Sequence, residues 1–351
     1  MLAVYVPILL TVAICIFARQ IGDRLGVVDV PDSLRKSHPD PTPLVGGIAI
    51  MLPLAVWSAI QLFTNDGQGG LEQALMLCAG GVAVVGYMDD QRIISPTGRL
   101  ILLAIFSFVA LKLDPQLVVH RIHTVSFGSL TVSPELAVAL VVVSLTGFSC
   151  AVNMVDGANG LVLSLICIWS VCLAIWGGVG AGAAELLAGA SFVTLLFNAR
   201  GRLFLGDCGA FAVSFAIGLI AIQTHNQNNL PLETVIVWFF LPVADCLRLI
   251  PVRLMRRRSP FRPDRLHFHH RLTDRFGTRR AIWGYVGLVG VTSLLATLIP
   301  GWSVWCICLD GAVYGGVLVA DAIAWPGGKG QSVGKEGSLV VPLAGTHRKG
   351  T

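Results

Sequence analysis

The sequence predicts an all-α fold: a polytopic membrane helical bundle with about eleven transmembrane helices. Three observations carry this prediction. Of the 351 residues, 54% are hydrophobic and only 13% are charged, whereas soluble domains carry about 25% charged residues. The mean hydropathy of the chain is +0.75. Apolar runs also recur at the roughly 17–25 residues that a helix needs to cross about 30 Å of hydrocarbon.

Eleven apolar runs along the chain have the length of a membrane span. They cover residues 2–18, 44–64, 72–88, 100–118, 133–152, 159–177, 181–199, 205–223, 233–251, 282–300 and 302–324. The first run lacks a basic leading region and a small-residue cleavage site, so we interpret it as an uncleaved helix. Residues 1–324 are therefore the predicted membrane domain. Residues 325–351 are rich in Gly, Lys and Ser and predict a disordered cytoplasmic tail.

Basic residues are distributed unequally between the two sides of this predicted bundle. When the loops are assigned alternately, one side holds all of the 25 lysines and arginines except Lys112 and Arg121. The positive-inside rule makes that side cytoplasmic, with the N-terminus outside and the C-terminus inside. An odd number of spans is required, and eleven satisfies it. His120, His123 and His225 fall on the external side, where we expect them to be solvated.

Five aspartates lie at or near the predicted cytoplasmic edge: Asp89, Asp90, Asp156, Asp207 and Asp245. Carboxylates close to hydrocarbon are costly and are functional by default. A single one, such as Asp207 near a helix start, is explained equally well as an ordinary helix cap. Five on one face, opposite many cations, favour a site. Mg²⁺ suits such a site, because it binds through one or two carboxylates together with substrate phosphates.

Two short connections add amides and glycines to the same edge. Asn153, Asp156 and Asn159 lie with two glycines in one turn, and glycine allows a close approach of the backbone to a ligand. Asn198 and Asp207 lie at the connection between the seventh and eighth spans. An aspartate at a helix N-terminus repels phosphate unless a metal lies between them, so a metal role is the more coherent interpretation of Asp207.

Histidines are concentrated in the most basic loop. His267, His269 and His270 fall within four residues, beside eleven arginines between Arg248 and Arg280. Arginine and protonated histidine complement phosphate, and phosphoryl transfer depends on metal and cationic stabilisation. This edge predicts an enzyme that joins a phosphorylated soluble substrate to a lipid phosphate. A transporter or flippase with a one-sided ion site is the alternative, although an ion path should place ionisable residues through the midplane.

Several separated motifs carry a family resemblance. They are Asp29-Val30-Pro31-Asp32 with Arg35-Lys36-Ser37-His38 and 43–47, Asp89-Asp90 with Ser95-Pro96 and Arg99, 153–161, Asn198 with 205–209, and 264–270. Together they resemble the polyprenyl-phosphate N-acetylhexosamine-1-phosphate transferase family, glycosyltransferase family 4. The chain is closer to the undecaprenyl-phosphate N-acetylglucosaminyl-1-phosphate transferase branch than to the phospho-N-acetylmuramoyl-pentapeptide branch.

The resemblance implies a reaction and its partners. Undecaprenyl phosphate would attack the β-phosphorus of a UDP-N-acetylhexosamine, with N-acetylglucosamine as the default sugar, to give a lipid pyrophosphoryl sugar and UMP. The implied cofactor is Mg²⁺, with Mn²⁺ as the other option, and the implied location is the bacterial cytoplasmic membrane. No nucleic-acid partner is expected, and the oligomeric state is open, a homodimer included.

The resemblance also assigns roles to residues. Asp207 is the implied metal ligand, Asp89 and Asp90 would lie near the lipid phosphate with Asp89 as candidate base, and Asn153 and Asp156 would contact the nucleotide or order the site. Asn159 and Asn198 are further substrate-binding candidates, and Lys36, His267, His269, His270 and Arg265 would bind pyrophosphate. The chain departs from the family pattern at Ile93 and Asn159, where many relatives have Asp, and at Ala210, where Ser is usual.

Overall fold

The computed structural model describes residues 2–30, 41–65, 68–91, 93–257 and 265–324. Predicted site residue Lys36 and the predicted tail 325–351 lie outside the described residues. The described elements are α1 (Leu2–Ile16), α2 (Ala18–Leu25), β1 (Val28–Asp29), β2 (Thr42–Pro43), α3 (Gly46–Thr64), α4 (Gly70–Gln73), α5 (Gly80–Asp90), α6 (Pro96–Leu113), β3 (Arg121–Thr124), β4 (Gly128–Thr131), α7 (Pro134–Val155), α8 (Leu161–Trp176), α9 (Ala181–Asn198), α10 (Gly206–Asn228), α11 (Leu232–Met255), α12 (Phe268–Phe276), α13 (Thr278–Leu298) and α14 (Ser303–Ala324).

The helices confirm a multi-pass membrane bundle. Among the described residues, nine helical stretches are long and apolar enough to cross a bilayer, and α1 with α2 makes a tenth if this pair, bent by 73°, is one span. One of the nine is the continuous stretch Gly70–Asp90, in which a π-helical turn joins α4 to α5. Helix α8 has 16 residues and is shorter than each of these nine stretches. The total of eleven spans and the orientation of the termini stay predictions.

Helix α10 forms the centre of the bundle. It is buried almost all round from Cys208 to His225 and packs against α3, α5, α7 and α8, as expected for a helix that is apolar on every face. Glycines allow the closest approaches. A Cβ on Gly86 of α5 would lie 2.5 Å from the backbone oxygen of Asp207, and one on Gly47 of α3 would overlap the backbone of Gly209. The end of α5 is therefore pressed against the start of α10.

The order of the helices brings the predicted polar motifs to one end of the bundle. Helices α5, α7 and α11 finish at this end, and α8 and α10 begin there, because the chain crosses the bundle in alternating directions.

Antiparallel β3 and β4 follow the far end of α6. The prediction that His225 is solvated is wrong: its ring is buried, with Nδ1 2.6 Å from the backbone oxygen of Leu230 and Nε2 3.1 Å from that of Arg121. It fastens this hairpin to α10.

Candidate active site

Asp90 holds the start of α10. Its two carboxylate oxygens accept hydrogen bonds from the backbone N–H groups of Asp207, at 2.8 Å, and Cys208, at 3.1 Å. The first N–H groups of a helix have no partner within the helix, and a carboxylate there also complements the positive end of its dipole. Gly206 makes the turn possible, because its φ is +73° and a Cβ would lie 2.9 Å from Asp90. Asp90 thus fixes where the Asp207 side chain begins.

Asp207 of α10 lies among polar side chains from three other helices, α5, α6 and α7. Its Oδ1 accepts a hydrogen bond from Nδ2 of Asn153 at 2.6 Å, and its carboxylate lies within interaction range of Asp89 and Arg99. Asp89 forms a salt bridge with Arg99, and the two side chains are 11% and 20% exposed. The Arg99 guanidinium also stacks 4.9 Å from the ring centre of Phe211. Arg99 is the one cation that the described residues place against these carboxylates.

Asp156 adds a further carboxyl group, for which the described residues provide no hydrogen-bond donor. Burial raises the pKa of this carboxyl to about 7, with a further contribution from the charges of Asp207 and Asp90. Asp156 directly follows Val155, the last residue of α7, and lies three residues after Asn153. The group around Asp207 therefore has more carboxylates than cations.

These carboxylates fit a divalent metal that takes most of its ligands from elsewhere. Within the described ranges, no three His, Cys, Asp or Glu side chains are placed so that they could hold a metal ion together. Mg²⁺ does not need three such side chains, since it keeps several waters and binds through one or two carboxylates plus substrate phosphates. The excess negative charge at Asp207, Asp89 and Asp156 matches that requirement, with Asp207 as the residue that best fits the role of ligand.

The amides predicted to bind substrate divide into two kinds. Asn153 faces the large cavity described below. Asn198 is buried, and both ends of its amide bind backbone groups. Oδ1 accepts from the N–H of Gly160 at 2.6 Å, and Nδ2 donates to the backbone oxygen of Leu203 at 3.0 Å. Asn198 therefore joins the 153–161 turn to the connection before α10. Asn159 is exposed on that turn and does not line the cavity.

The histidine loop is fastened by Asp245 of α11. Oδ2 of Asp245 accepts from Nδ1 of His267 at 2.9 Å and from N–H of Phe268 at 3.1 Å. Oδ1 accepts from Arg248 at 2.7 Å and from the Tyr314 hydroxyl at 3.2 Å. Nε2 of His267 lies 3.3 Å from a guanidinium nitrogen of Arg253, which is 1% exposed. Asp245, His267, Arg248 and Arg253 form a second polar cluster, the histidine cluster, beside the carboxylate cluster of Asp89, Asp90, Asp156 and Asp207. In the histidine cluster cations outnumber carboxylates.

His269 connects the two clusters. It is 4% exposed, both ring nitrogens lack a hydrogen-bond partner among the described residues, and a Cβ on Gly157 would lie 2.7 Å from Nε2. Burial lowers the pKa of His269 to about 3, with smaller contributions from His270 and His267. A buried polar ring without a partner is costly. Its unused nitrogens beside the 153–161 turn indicate a place for a ligand.

Not every predicted phosphate-binding residue faces this place. Arg265 pairs with Asp274 at 2.9 Å on the surface, where the two side chains are 61% and 59% exposed, and it does not line the cavity. Arg253 does line the cavity, but it was not among the residues predicted to bind phosphate. The signal was present, because Asp245, Leu249 and Arg253 are spaced by four residues and all lie on the buried face of α11.

A cavity of about 1290 Å³ runs between α7 and α11 and ends at both clusters. Its walls are apolar and include Phe148, Phe239, Phe240 and Leu247. The polar end is lined by Arg99, Asn153, Arg253, His267, His269 and His270. Asn153 and Arg99 in turn contact Asp207 and Asp89. The cavity thus joins an apolar channel to a polar end lined by cationic, amide and histidine side chains. The carboxylates of Asp207 and Asp89 lie behind Asn153 and Arg99.

Comparison with known proteins gives one family and a set of named relatives. Residues 72–225 match the family model of glycosyl transferase family 4. The chain is 28% identical over 321 residues to the undecaprenyl-phosphate alpha-N-acetylglucosaminyl 1-phosphate transferase of Escherichia coli (strain K12), covering 84% of each chain. It is 28% identical over 322 residues to the protein of that name from Salmonella typhi, covering 85% of each. It is also 28% identical over 307 residues to the decaprenyl-phosphate N-acetylglucosaminephosphotransferase of Mycobacterium tuberculosis (strain CDC 1551 / Oshkosh), covering 77% of this chain and 76% of the relative.

Proposed function

Because this chain belongs to glycosyl transferase family 4, we propose that it is a phosphoglycosyltransferase that acts on a polyprenyl phosphate. In this proposal it transfers N-acetylhexosamine-1-phosphate, by default N-acetylglucosamine-1-phosphate, from a UDP-sugar to undecaprenyl phosphate and releases UMP. The product would start a lipid-linked glycan of the cell envelope. The named relatives support the acceptor and the sugar, since their names specify undecaprenyl or decaprenyl phosphate and N-acetylglucosamine.

The observation that carries the proposal is the shape of the cavity. An apolar channel bounded by Phe239 and Phe240 suits an isoprenoid tail, and the polar end suits the phosphate at the head of that tail. A soluble nucleotide-sugar would reach the same end through the loops. Both substrates would then meet at one place, which lowers the entropic cost of bringing two reactants together.

The two clusters would divide the work of the reaction. Arg253, His267 and His269 would bind the diphosphate of the donor before and during the transfer alike. Arg99 would face the acceptor phosphate, whose oxygen attacks the β-phosphorus as the bond to the UMP oxygen breaks. Asn153 and Asp90 would keep Asp207 in place. These side chains contribute position, and the charged ones also contribute electrostatic stabilisation, which together are what phosphoryl transfer needs most.

The proposal does not need a general base. A phosphate monoester with a second pKa near 6 is largely dianionic at pH 7, so the attacking oxygen carries no proton that must be removed. Asp89 forms a salt bridge with Arg99, and holding that guanidinium toward the cavity is the role that its contacts favour. This assigns Asp89 to orientation of the acceptor rather than to proton transfer.

Mg²⁺, or Mn²⁺ in its place, would be held by Asp207 with Asp89 and Asp156 nearby. When bound, such an ion neutralises phosphate charge and withdraws electron density from phosphorus. In this proposal the cationic loops face the cytoplasm, where nucleotide-sugars are made, and the protein lies in the bacterial cytoplasmic membrane with its N-terminus outside and its C-terminus inside.

The direct test is release of UMP by the purified protein in detergent or proteoliposomes, supplied with undecaprenyl phosphate, Mg²⁺ and a panel of UDP-sugars. We expect UMP only when lipid phosphate and metal are both present, with UDP-N-acetylglucosamine as the default donor. A chelator should stop the reaction, and added Mg²⁺ should restore it. If no UDP-sugar yields UMP while proteoliposomes move a solute, the transporter or flippase interpretation replaces this one.

A further inference from the structure

We infer that Asp245 is a positioning residue that sets the orientation and the protonated nitrogen of His267, and through His267 the affinity for the diphosphate of the donor. This inference deepens the proposed function and rests on it for the identity of the ligand. Asp245 lies outside the cavity and would touch neither substrate. It would act only through the groups that it holds.

The surroundings of Asp245 show how complete this hold is. The residue is 1% exposed, and its two oxygens accept four hydrogen bonds, two each. Pairing and hydrogen bonding of this kind offset the cost of burying a carboxylate. The donors come from three parts of the chain: Arg248 on α11, Tyr314 on α14, and the segment that begins α12. One side chain therefore ties the histidine segment to two membrane helices.

The contact with His267 determines what its ring presents to the cavity. A carboxylate oxygen can only accept, so Nδ1 of His267 must carry the hydrogen in the 2.9 Å contact with Asp245. Nε2 is then the nitrogen left for the side of Arg253 and the cavity. The carboxylate also stabilises the ring when Nε2 gains a proton beside an anion. A partner of this kind is what fixes the tautomer of a functional histidine.

Further contacts make the arrangement rigid. Arg248 donates to the Tyr314 hydroxyl at 2.7 Å and to the backbone oxygen of Leu266 at 2.8 Å. Arg271 of α12 pairs with Asp321 of α14 at 3.1 Å. The ring of Phe268 packs against that of Tyr314, with 5.0 Å between their centres. The segment that carries His267 is thus held from both sides, and Asp245 lies where these contacts meet.

The variant that tests this is Asp245→Asn, which keeps the size of the side chain but replaces one acceptor by a donor. If the NH₂ group faces His267, the ring must present Nε2–H instead of Nδ1–H. If it faces Arg248, that guanidinium loses an acceptor. The matched control is Asp310→Asn on α14, because Asp310 is also 1% exposed but accepts none of the hydrogen bonds that Asp245 accepts and does not line the cavity.

Steady-state kinetics of Asp245→Asn, His267→Gln and the double variant that combines them provide the functional measurement. Loss of the partner that orients a functional histidine typically costs about 10–100-fold in affinity or activity. We therefore expect Asp245→Asn to raise the KM for the UDP-sugar by roughly tenfold or more. The change in kcat should be much smaller, because donor binding is weakened as a whole. The double variant should be no worse than His267→Gln alone. Independent effects that multiply in the double variant would overturn the inference.

¹⁵N NMR of protein labelled at histidine separates this inference from the proposed function. The signals of His267 are assigned by their loss in His267→Gln, among eight histidines in the chain. The wild type should show a protonated Nδ1 that Asp245→Asn changes and Asp310→Asn leaves alone. A wild type with only Nε2 protonated, or an unchanged signal in folded Asp245→Asn, would overturn the positioning role even if UMP release is normal. An expected NMR result in a protein that releases no UMP would overturn the proposed function alone.

Discussion

The two polar clusters at the end of the cavity differ in their balance of charge: carboxylates outnumber cations in one, and cations outnumber carboxylates in the other. Around Asp207, three further carboxylates, Asp89, Asp90 and Asp156, are accompanied by the single cation Arg99 among the described residues. Around His267, one carboxylate serves Arg248 and His267 together, and Arg253 stands beside them. The first cluster has unmet negative charge, and the second has surplus donors.

The difference teaches what each side of the cavity requires. Buried charge without compensation is expensive, so each cluster is most stable when a ligand of the opposite sign is present. In the proposed function a divalent metal would compensate the carboxylates, and phosphate oxygens would bind both the metal and the donors of the histidine cluster. Gly157 and His269 lie where the two clusters meet. The contrast in charge therefore predicts one shared ligand, a metal-bound diphosphate, rather than two separate sites.

Asp207→Asn should have the largest effect, because it removes the charge at the centre of the carboxylate cluster while keeping the shape. We expect UMP release to fall by about 10³-fold, which corresponds to about 4 kcal/mol in the barrier. The melting temperature should stay close to wild type, since Asn can still occupy the site next to Asn153. Activity within about tenfold of wild type would mean that Asp207 does not hold the metal.

Gly157→Ala tests whether the clusters share one ligand. Its Cβ would lie 2.7 Å from Nε2 of His269, so the imidazole or the turn must shift. A misplaced binding group costs roughly 10–100-fold in kcat/KM. Gly301→Ala is the control, because a Cβ there meets nothing within 4 Å and Gly301 lies away from the cavity lining. Equal activity of both variants would show that His269 and the turn work independently.

His269 gives a prediction on pH that needs no substrate. Its pKa is lowered to about 3 by burial, whereas an unfolded histidine titrates near 6.5. The unfolded state therefore binds the extra proton first, and stability is lost as the pH falls below about 6.5. The apparent melting temperature should decline from pH 7 to pH 5 less steeply in His269→Gln than in the wild type. Parallel declines would show that this ring is not held in its neutral form.

Arg265→Ala should have the smallest effect. The pair that Arg265 makes with Asp274 is exposed, and exposed pairs contribute about 0–1 kcal/mol. We expect KM for the donor to change by less than about threefold, against a much larger rise for Arg253→Ala, which removes a buried cation from the cavity wall. A rise for Arg265→Ala that matches the rise for Arg253→Ala would show that the loop turns inward when the nucleotide binds.

Much of the site could be predicted from local sequence. The 153–161 turn, the histidine segment and the aspartates at helix ends all carry recognisable residue types in short stretches, and their shared end of the bundle follows from counting spans. The roles of Asp90 and Asn198 could not be predicted in this way. Asp90 caps a helix 117 positions further along the chain, and Asn198 binds a backbone N–H 38 positions earlier. Nothing in the neighbouring residues specifies those partners.

The sequence by itself determined that this is a multi-pass helical membrane protein with its reactive residues at one edge, because hydropathy and charge act residue by residue and survive any arrangement of the helices. Tertiary structure alone decided which groups compensate each other. Whether a carboxylate faces a cation, a backbone N–H or another carboxylate depends on how closely helices approach, as at Gly86 and Gly47. It also decided that Arg253 faces the cavity and Arg265 faces solvent. Burial and partners, rather than residue type, separate a binding side chain from one on the surface.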